Sequence, residues 1–393
     1  MSAAAAHRIT AVSLQGADVK LSVRGCSTGE VVLPGVLLRD SCQCSECVHP
    51  TTLQRLVDDI DPTVAPSSAA LSPCGTSLEL EWPDGHRTSL SARQLSQWCS
   101  PTPAVQPPSP WSGDWMCAHI DEVTFPFNAV AERGAETQAW LAALQRYGLT
   151  KLTGAQEKFG EVERLAAALG VPLRPTVYDE HPGASTFRVA VKPNANNQAY
   201  TSAALPLHTD LPFYKSPPSV QLLHCVAQCE DLSNGGASVF ADGMHAVKQL
   251  AEDSPGDVEI LYSQQVVFED VDPSPKPRYH LEAVRPVLEK VPGSVERVAI
   301  NLNNGVRSSH GFGADAAPSR QHYAAVARLR SILSAGIFEQ MATPGDIFVF
   351  DNRRVLHGRR ALIGAGGLRR ALEGCYMEWD DLDGLTRVLA SAP

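Results

Sequence analysis

The 393-residue chain lacks several features that define large classes of protein. No apolar run reaches about 18 residues, so no membrane-spanning helix is predicted. Acidic residues outnumber basic residues by 43 to 33, and no basic run is long enough to hold a polyanion, so we expect no nucleic-acid partner. The phosphate-binding patterns GxGxxG and GxxxxGK are absent, so a nucleotide cofactor is not indicated.

The chain also lacks the signs of export. The N-terminal stretch MSAAAAHRIT has no charged segment followed by an apolar one, and no Arg-rich presequence pattern. Ten cysteines are present, but three of them, Cys42, Cys44 and Cys47, fall within six residues. In a long chain such a cluster indicates metal binding rather than a disulfide framework. We therefore expect a protein of the reducing cytoplasm.

The length predicts two domains, because one hydrophobic core rarely serves so many residues. Residues 1–100 read as short strands, with a hairpin in TSLELEWPDGHRTSLS. The proline-rich residues 101–114 predict a stiff connector. Residues 115–393 mix strands with helices, which we expect over residues 136–148, 155–170 and 318–336. The predicted class is α+β, mainly β, with an antiparallel double sheet of jelly-roll type and helices at one side.

An iron centre is indicated by LPLHTDLPFY, residues 205–214. If this stretch is a strand, His208 and Asp210 share a face, and a buried carboxylate needs a partner. His357, in NRRVLHGRR, would complete the facial triad of two His and one carboxylate found in non-haem iron oxygenases. Arg370 could then bind a carboxylate of 2-oxoglutarate with both arms of its guanidinium. A His-x-Asp pair alone is weak evidence, whereas the whole set favours an oxygenase.

A zinc centre is indicated in the first domain. Cys42, Cys44 and Cys47 offer three thiolates, and one histidine would complete a tetrahedral site. Spacing alone leaves two candidates open, the nearby His49 and the more distant His86 in WPDGHRTS. With four protein ligands the zinc would be structural, since no position is left for substrate.

Stretches distributed along the chain resemble the γ-butyrobetaine dioxygenase and trimethyllysine dioxygenase family of 2-oxoglutarate-dependent oxygenases. They include LLRDSCQCSECVHP, WPDGHRTS, NNQAYT, LPLHTDLP, PGDIFVFDNRRVLHGRR and LEGCYMEWD, in the family's order. The resemblance implies a double-stranded β-helix catalytic domain that uses Fe(II), 2-oxoglutarate, O2 and ascorbate as reductant. It implies iron on His208, Asp210 and His357, 2-oxoglutarate on Arg370, and His86 rather than His49 on zinc. A homodimer is compatible with it.

The same resemblance implies a substrate site. A trimethylammonium group is held by aromatic faces, and the family pattern places these at Phe187, Tyr200 and Tyr376. Asn197 and Asn303 would meet the other end of the substrate. The chain departs from the family pattern at Phe187 and at Leu211, and Tyr178 and Tyr214 are candidates to compensate.

Asn197 favours hydroxylation of γ-butyrobetaine to L-carnitine, because a substrate with a free α-amino group would favour a carboxylate there. The alternatives are trimethyllysine, another quaternary ammonium compound such as a trimethylaminoalkyl phosphonate, and an inactive metal-binding scaffold.

Overall fold

The computed structural model describes residues 8–24, 29–99, 107–179, 184–191, 195, 197–228, 235–292, 294, 296–308, 316–362 and 370–391. The chain divides into two compact units, Met1–Val105 and Gln106–Pro393. Of the predicted connector, residues 101–106 lie outside the described residues. Within the described part of the chain, none of the helices has both the length and the apolarity needed to cross a bilayer.

The first unit contains two small antiparallel sheets. Strands β1 (Arg8–Gln15), β2 (Asp18–Arg24) and β3 (Glu30–Pro34) form one, and β4 (Ser68–Leu71), β5 (Ser77–Glu81) and β6 (Arg87–Ser91) form the other. Helices α1 (Gly35–Asp40) and α2 (Ala92–Cys99) follow β3 and β6. Every second residue of β2 is buried, as expected for a strand with one face in the core. The hairpin predicted in TSLELEWPDGHRTSLS is confirmed as β5–β6.

The second unit contains the remaining elements. In chain order they are α3 (Gly113–His119), β7 (Thr124–Pro126), α4 (Phe127–Ala131), α5 (Ala135–Tyr147), β8 (Leu149–Thr153), α6 (Glu161–Leu169), β9 (Thr186–Ala190), β10 (Leu205–His208), β11 (Val220–Ala227), β12 (Ser238–Asp242), α7 (Gly243–Asp253), α8 (Pro255–Ser263), β13 (Gln265–Val271), β14 (His280–Pro286), β15 (Leu288–Lys290), β16 (Val298–Ile300), α9 (Ala316–Ala335), β17 (Phe338–Gln340), β18 (Ile347–Asp351), β19 (Val355–Arg359), β20 (Ala371–Met377) and α10 (Trp379–Ser391).

Two sheets build the frame of this unit. The larger has the order β7-β8-β18-β11-β20-β9, and the smaller has the order β10-β19-β12-β17. The pairings are antiparallel except for β7 with β8. Phe240 of the smaller sheet lies 4.9 Å from Phe348 and 5.4 Å from Phe350 of the larger, measured between ring centroids. The sheets therefore face each other across an aromatic core, and the predicted double sheet is present.

The helices form two groups, whereas the sequence suggested one side. Apolar residues of α4, α5, α6 and α10 pack with residues of the larger sheet. Residues of α7, α8 and α9 pack instead with the hairpins β13–β14 and β15–β16 and with Leu356. Two helix predictions are confirmed, as α5 and α9. The predicted helix over residues 155–170 is half as long, because Gly160 has a φ of +97° and α6 begins only after it.

Candidate active site

The pairing of β10 with β19 brings the candidate iron ligands together. His208 lies directly opposite His357 in the register, and their ring centroids are 4.3 Å apart. The Nε2 atom of His208 lies 3.1 Å from Oδ1 of Asp210, and Nε2 of His357 lies 3.8 Å from Oδ2 of Asp210. One possible ligand atom from each of the three residues lies within 4.8 Å of the others. Three side chains that are distant in sequence thus form one cluster.

Asp210 does not share a strand with His208, contrary to the prediction. Strand β10 ends at His208, and Asp210 lies in the turn that follows. The next residue, Leu211, has a φ of +58° although it is not glycine, a conformation that costs about 1 kcal/mol or more. The carboxylate therefore reaches the two imidazoles through the turn rather than through strand alternation.

Three side chains hold Asp210 in place; sequence reasoning missed Asn352 and Gln221 and named Tyr376 only for its aromatic ring. Asn352 is fully buried, accepts a hydrogen bond from the Asp210 amide at 2.7 Å and donates one to the Asp210 carbonyl at 3.0 Å. Gln221 Nε2 and the Tyr376 hydroxyl each donate to Oδ2 of Asp210 at 2.8 Å. Partners of this kind orient a ligand and tune its affinity for metal.

The protonation of the cluster follows from burial and mutual charge. Burial opposes ionisation of Asp210, but His357, His208 and the Tyr376 hydrogen bond outweigh it, so the carboxyl pKa lies well below its usual range. Burial, together with the charge of His208, lowers the pKa of His357 to about 3. Nδ1 of His208 lies 2.9 Å from the carbonyl of Pro206, to which it can donate, which leaves Nε2 for a metal.

The donor set fits iron. An ionised carboxylate and two imidazoles that expose Nε2 are the ligands of the facial triad, which leaves the remaining coordination positions for other molecules. All three residues line a cavity of about 470 Å³ that is large enough for a small substrate. Arg370 is buried and lines this cavity immediately before β20. A guanidinium at this place suits the distal carboxylate of 2-oxoglutarate.

The candidate aromatic residues line the same cavity. Gly374 of β20 lies opposite Phe187 of β9, and a Cβ at Gly374 would lie 2.3 Å from the Phe187 ring. The glycine thus makes room for Phe187, which stacks on Tyr376 with ring centroids 5.4 Å apart. Tyr200 and Tyr178 are further aromatic residues in the cavity wall.

Tyr178 and Tyr214, both named as compensating candidates, differ in position. The Tyr178 hydroxyl donates to Oδ2 of Asp270 at 2.9 Å, and Asp270 also lines the cavity. The hydroxyl of Tyr214 instead accepts from the Val177 amide at 2.9 Å, and Tyr214 is absent from the described residues that line the cavity. Tyr178 is therefore the better candidate.

The two candidate asparagines, Asn197 and Asn303, line the cavity and already make hydrogen bonds within the protein. Oδ1 of Asn197 accepts from the Ala199 amide at 2.9 Å. Oδ1 of Asn303 accepts from the Gly305 amide at 3.0 Å, and Nδ2 donates to the Thr209 carbonyl at 3.2 Å. Asn303 thus supports the turn that carries Asp210, and each amide has only part of its hydrogen-bonding capacity left for a ligand.

Arg359 has a structural role that the sequence did not reveal. Arg359, the last residue of β19, is buried and donates to the carbonyls of Ala199, Thr201 and Ala203. These bonds hold the turn that presents Tyr200 to the cavity. The clue in the sequence was weak, because RR at the end of a strand is typical of an exposed edge.

A second cluster, in the first unit, unites Cys42, Cys44, Cys47 and His86. Nε2 of His86 lies 3.3, 3.7 and 3.6 Å from the three sulfur atoms in that order. In a tetrahedral site with Zn–S bonds of about 2.3 Å and Zn–N bonds of about 2.0 Å, sulfur and nitrogen are about 3.5 Å apart. The cluster therefore fits zinc.

The surrounding residues decide between the two histidines. Nδ1 of His86 lies 3.3 Å from a carboxylate oxygen of Glu46, a common second partner of a zinc-bound imidazole. The turn before His86 is closed by Gly85, with a φ of +80°, and by Asp84, which accepts from the His86 amide at 2.9 Å. His49 is outside the cluster, and its Nδ1 accepts from the amides of Thr51 and Thr52.

Two facing sheets around a centre of two histidines and one carboxylate define the class of non-haem iron oxygenases. Residues 105–376 match the family model of the taurine catabolism dioxygenase TauD, TfdA family. Residues 13–95 match the model of the gamma-butyrobetaine hydroxylase-like N-terminal domain.

Named relatives agree with these matches. The chain is 31% identical to the gamma-butyrobetaine dioxygenase of Homo sapiens, over 92% of each chain. It is 29% identical to the gamma-butyrobetaine dioxygenase of Pseudomonas sp. (strain AK-1), over 90% of this chain and 88% of the relative. It is 27% identical to the mitochondrial trimethyllysine dioxygenase of Bos taurus, over 90% and 82%. The chain therefore belongs to the TauD/TfdA family, in the group of γ-butyrobetaine and trimethyllysine dioxygenases, and is a 2-oxoglutarate-dependent dioxygenase.

Proposed function

We propose that this dioxygenase hydroxylates a trimethylammonium substrate, with γ-butyrobetaine converted to L-carnitine. The observation that carries the proposal is the cavity itself. It joins the candidate iron ligands to a wall of Phe187, Tyr376, Tyr200 and Tyr178, with the carboxylate of Asp270 beside them. Relatives named for γ-butyrobetaine support the same substrate.

His208, Asp210 and His357 would hold Fe(II), which when bound supplies the oxidising chemistry that couples conversion of 2-oxoglutarate to succinate and CO2 with C–H hydroxylation. Arg370 would anchor the distal carboxylate of 2-oxoglutarate. Asn352 and Gln221 would keep the Asp210 carboxylate oriented while the substrate binds. Ascorbate would serve as reductant.

The aromatic wall suits a quaternary ammonium because such a cation cannot donate hydrogen bonds and is attracted to ring faces. Asp270 adds a negative charge behind the rings, and Tyr178 and Tyr279 donate to its Oδ2 at 2.9 and 3.3 Å. Burial raises the pKa of Asp270, while the two phenol hydrogen bonds oppose that shift.

The test uses the full-length protein loaded with Fe(II), 2-oxoglutarate and ascorbate without oxygen. Oxygen is then added with γ-butyrobetaine or with trimethyllysine, and succinate and hydroxylated product are followed by mass spectrometry. We expect carnitine in a ratio of one to one with succinate. If hydroxytrimethyllysine is the main product, the substrate is trimethyllysine instead. If succinate forms without either product, other quaternary ammonium compounds, phosphonates included, should be tested as substrates. Iron-loaded protein that forms no succinate would support a binding scaffold.

We also propose that Cys42, Cys44, Cys47 and His86 hold a structural zinc. Four protein ligands close the site to substrate. The first unit has a small core, so it would depend on the metal for stability. Metal analysis of the purified protein, before and after chelation, tests this proposal.

A further inference from the structure

Arg330, on α9, lies in the wall of the active-site cavity together with the segment from Asn303 to Val306. Its side chain is partly buried, and its Nε atom is fully buried and has no hydrogen-bond partner in the part of the chain that the structure describes. Among the described residues, no carboxylate forms an ion pair with its guanidinium. A guanidinium in this position retains its charge, so the cavity carries a positive charge that no described carboxylate pairs with.

The surroundings of Arg330 add positive charge. Burial, and after it the charge of Arg307, lowers the pKa of Arg330. Arg307 donates to the hydroxyl of Tyr323 at 2.9 Å and to Oδ1 of Asn304 at 3.3 Å, both of them uncharged partners. His322 stays neutral at physiological pH, since burial and Arg307 lower its pKa to about 4. Two arginines therefore converge beside the asparagine segment without an acid between them in the described structure.

Several other arginines of this unit have partners in the described structure, which makes Arg330 stand out. Arg354 pairs with Asp242 at 2.8 Å, and Arg285 pairs with Glu289 at 3.6 Å. Arg359 has three carbonyl partners. Arg328, two residues earlier on α9, pairs with Asp257. Since the buried Nε atom of Arg330 has no hydrogen-bond partner in the described structure, a ligand with an acceptor oxygen would satisfy it.

The described wall of the cavity also contains acidic groups. Its acidic groups are Asp210, which belongs to the metal cluster, and Asp270, which accepts from the two tyrosines. Asn303, predicted to meet the acidic end of the substrate, already accepts from the Gly305 amide and donates one N–H to the Thr209 carbonyl. Of the arginines that line the cavity in the described structure, Arg370 is assigned to 2-oxoglutarate and Arg359 is bonded to three carbonyls, which leaves Arg330 for a substrate anion.

We infer that Arg330 binds the acidic end of the substrate, an oxyanion that is a carboxylate or a phosphonate. The inference rests on the proposed function and narrows it. The substrate is a zwitterion with its cation against the aromatic wall and Asp270 and its acid against Arg330, with Asn303 beside it. A free ammonium group next to the acid, as in trimethyllysine, would be repelled by Arg330 and Arg307.

The test measures binding rather than turnover. Full-length protein is held without oxygen with Fe(II) and saturating 2-oxoglutarate, and three ligands are titrated by calorimetry. γ-Butyrobetaine carries both charges, butyltrimethylammonium lacks the acid, and 5,5-dimethylhexanoate keeps the acid but replaces the cationic nitrogen by carbon. In Arg330→Met we expect both acids to bind about tenfold to a hundredfold more weakly, since a hydrogen-bonded charged partner is lost, while butyltrimethylammonium binds as before.

Two further variants separate binding from folding. Arg320→Met removes an exposed arginine from the same helix and should leave all three affinities unchanged. Arg330→Lys keeps the positive charge but not the planar guanidinium with its paired N–H donors, and should recover part of the lost affinity for acids. Comparison of γ-butyrobetaine with its phosphonate analogue on the unmodified protein distinguishes the two kinds of oxyanion.

If Arg330→Met binds all three ligands more weakly by the same factor, or binds all three with unchanged affinity, the inference is overturned. The proposed function fails in a different way. If the unmodified protein binds 5,5-dimethylhexanoate as well as it binds γ-butyrobetaine, the aromatic wall does not recognise the cation. A selective loss of acid binding in Arg330→Met would then still establish the role of Arg330.

Discussion

Replacement of Tyr376 by phenylalanine separates two roles that this residue combines. Its ring stacks on Phe187 in the cavity wall, and its hydroxyl donates to Oδ2 of Asp210 at 2.8 Å. Phenylalanine keeps the ring and removes only the hydroxyl. We therefore expect Tyr376→Phe to weaken iron binding and to leave binding of a quaternary ammonium ligand nearly intact.

The magnitude follows from the contacts of Asp210. A hydrogen bond to a charged acceptor contributes about 1.5–3 kcal/mol. Gln221 still donates to the same oxygen at 2.8 Å, and Asn352 still holds the backbone of Asp210. The loss of iron-binding free energy in Tyr376→Phe should therefore lie at the lower end of this range, about 1.5 kcal/mol, and iron should bind about tenfold more weakly.

Anaerobic titration of the zinc-loaded protein with Fe(II) measures this loss, and titration with butyltrimethylammonium measures the cation site. Tyr178→Phe is the matched control, because it also removes a tyrosine hydroxyl from the cavity wall but one that donates to Asp270. The control should bind iron like the unmodified protein. Unchanged iron affinity in Tyr376→Phe, or an equal loss in both variants, would show that the hydroxyl does not position the iron ligand.

Three further predictions concern the two metal centres. His208→Ala should abolish turnover and leave the zinc content unchanged; hydroxylation retained by this variant would remove His208 from the iron centre. Cys47→Ala should lose zinc and unfold the first unit at lower temperature, whereas His49→Ala should keep both zinc and stability; metal analysis and calorimetric melting check this, and zinc loss in the histidine variant would contradict the assignment. Asn352→Leu removes three hydrogen bonds of a fully buried side chain and should lower the free energy of unfolding by about 3 kcal/mol; denaturant unfolding measures it, and a loss below 1 kcal/mol would refute that reasoning.

The metal clusters could be predicted because their chemistry restricts the residue types. Two histidines with one carboxylate, or three cysteines with one histidine, form a small set of patterns, and the resemblance to a family supplied the distant members. Sequence spacing also identified the long helix α9 and the hairpin β5–β6, whose local signals are strong. The reason given for His208 and Asp210 was nevertheless wrong, since the strand ends between them.

The residues that support the sites could not be predicted, because their roles depend on contacts between distant segments. Asn352 follows a strand and reads as a turn residue, yet it holds Asp210 from 142 positions away. Arg330 lies in a helix with many polar residues, where an arginine normally faces solvent. Only packing shows that it is partly buried and has no acidic partner among the described residues, whereas Arg328 on the same helix pairs with Asp257.

The two centres also differ in a way that follows from their ligands. The zinc cluster contains as many protein ligands as a tetrahedral ion can accept, so an ion there can stabilise the fold but cannot bind substrate. The iron cluster contains three ligands beside a cavity of about 470 Å³, and each of the ligands is held by strand pairing or by buried hydrogen bonds. The ligand geometry is therefore fixed before the substrate arrives, and the remaining freedom lies in the cavity wall. Changes in substrate within this group should accordingly arise at residues such as Tyr178, Asp270 and Arg330, while the iron ligands stay the same.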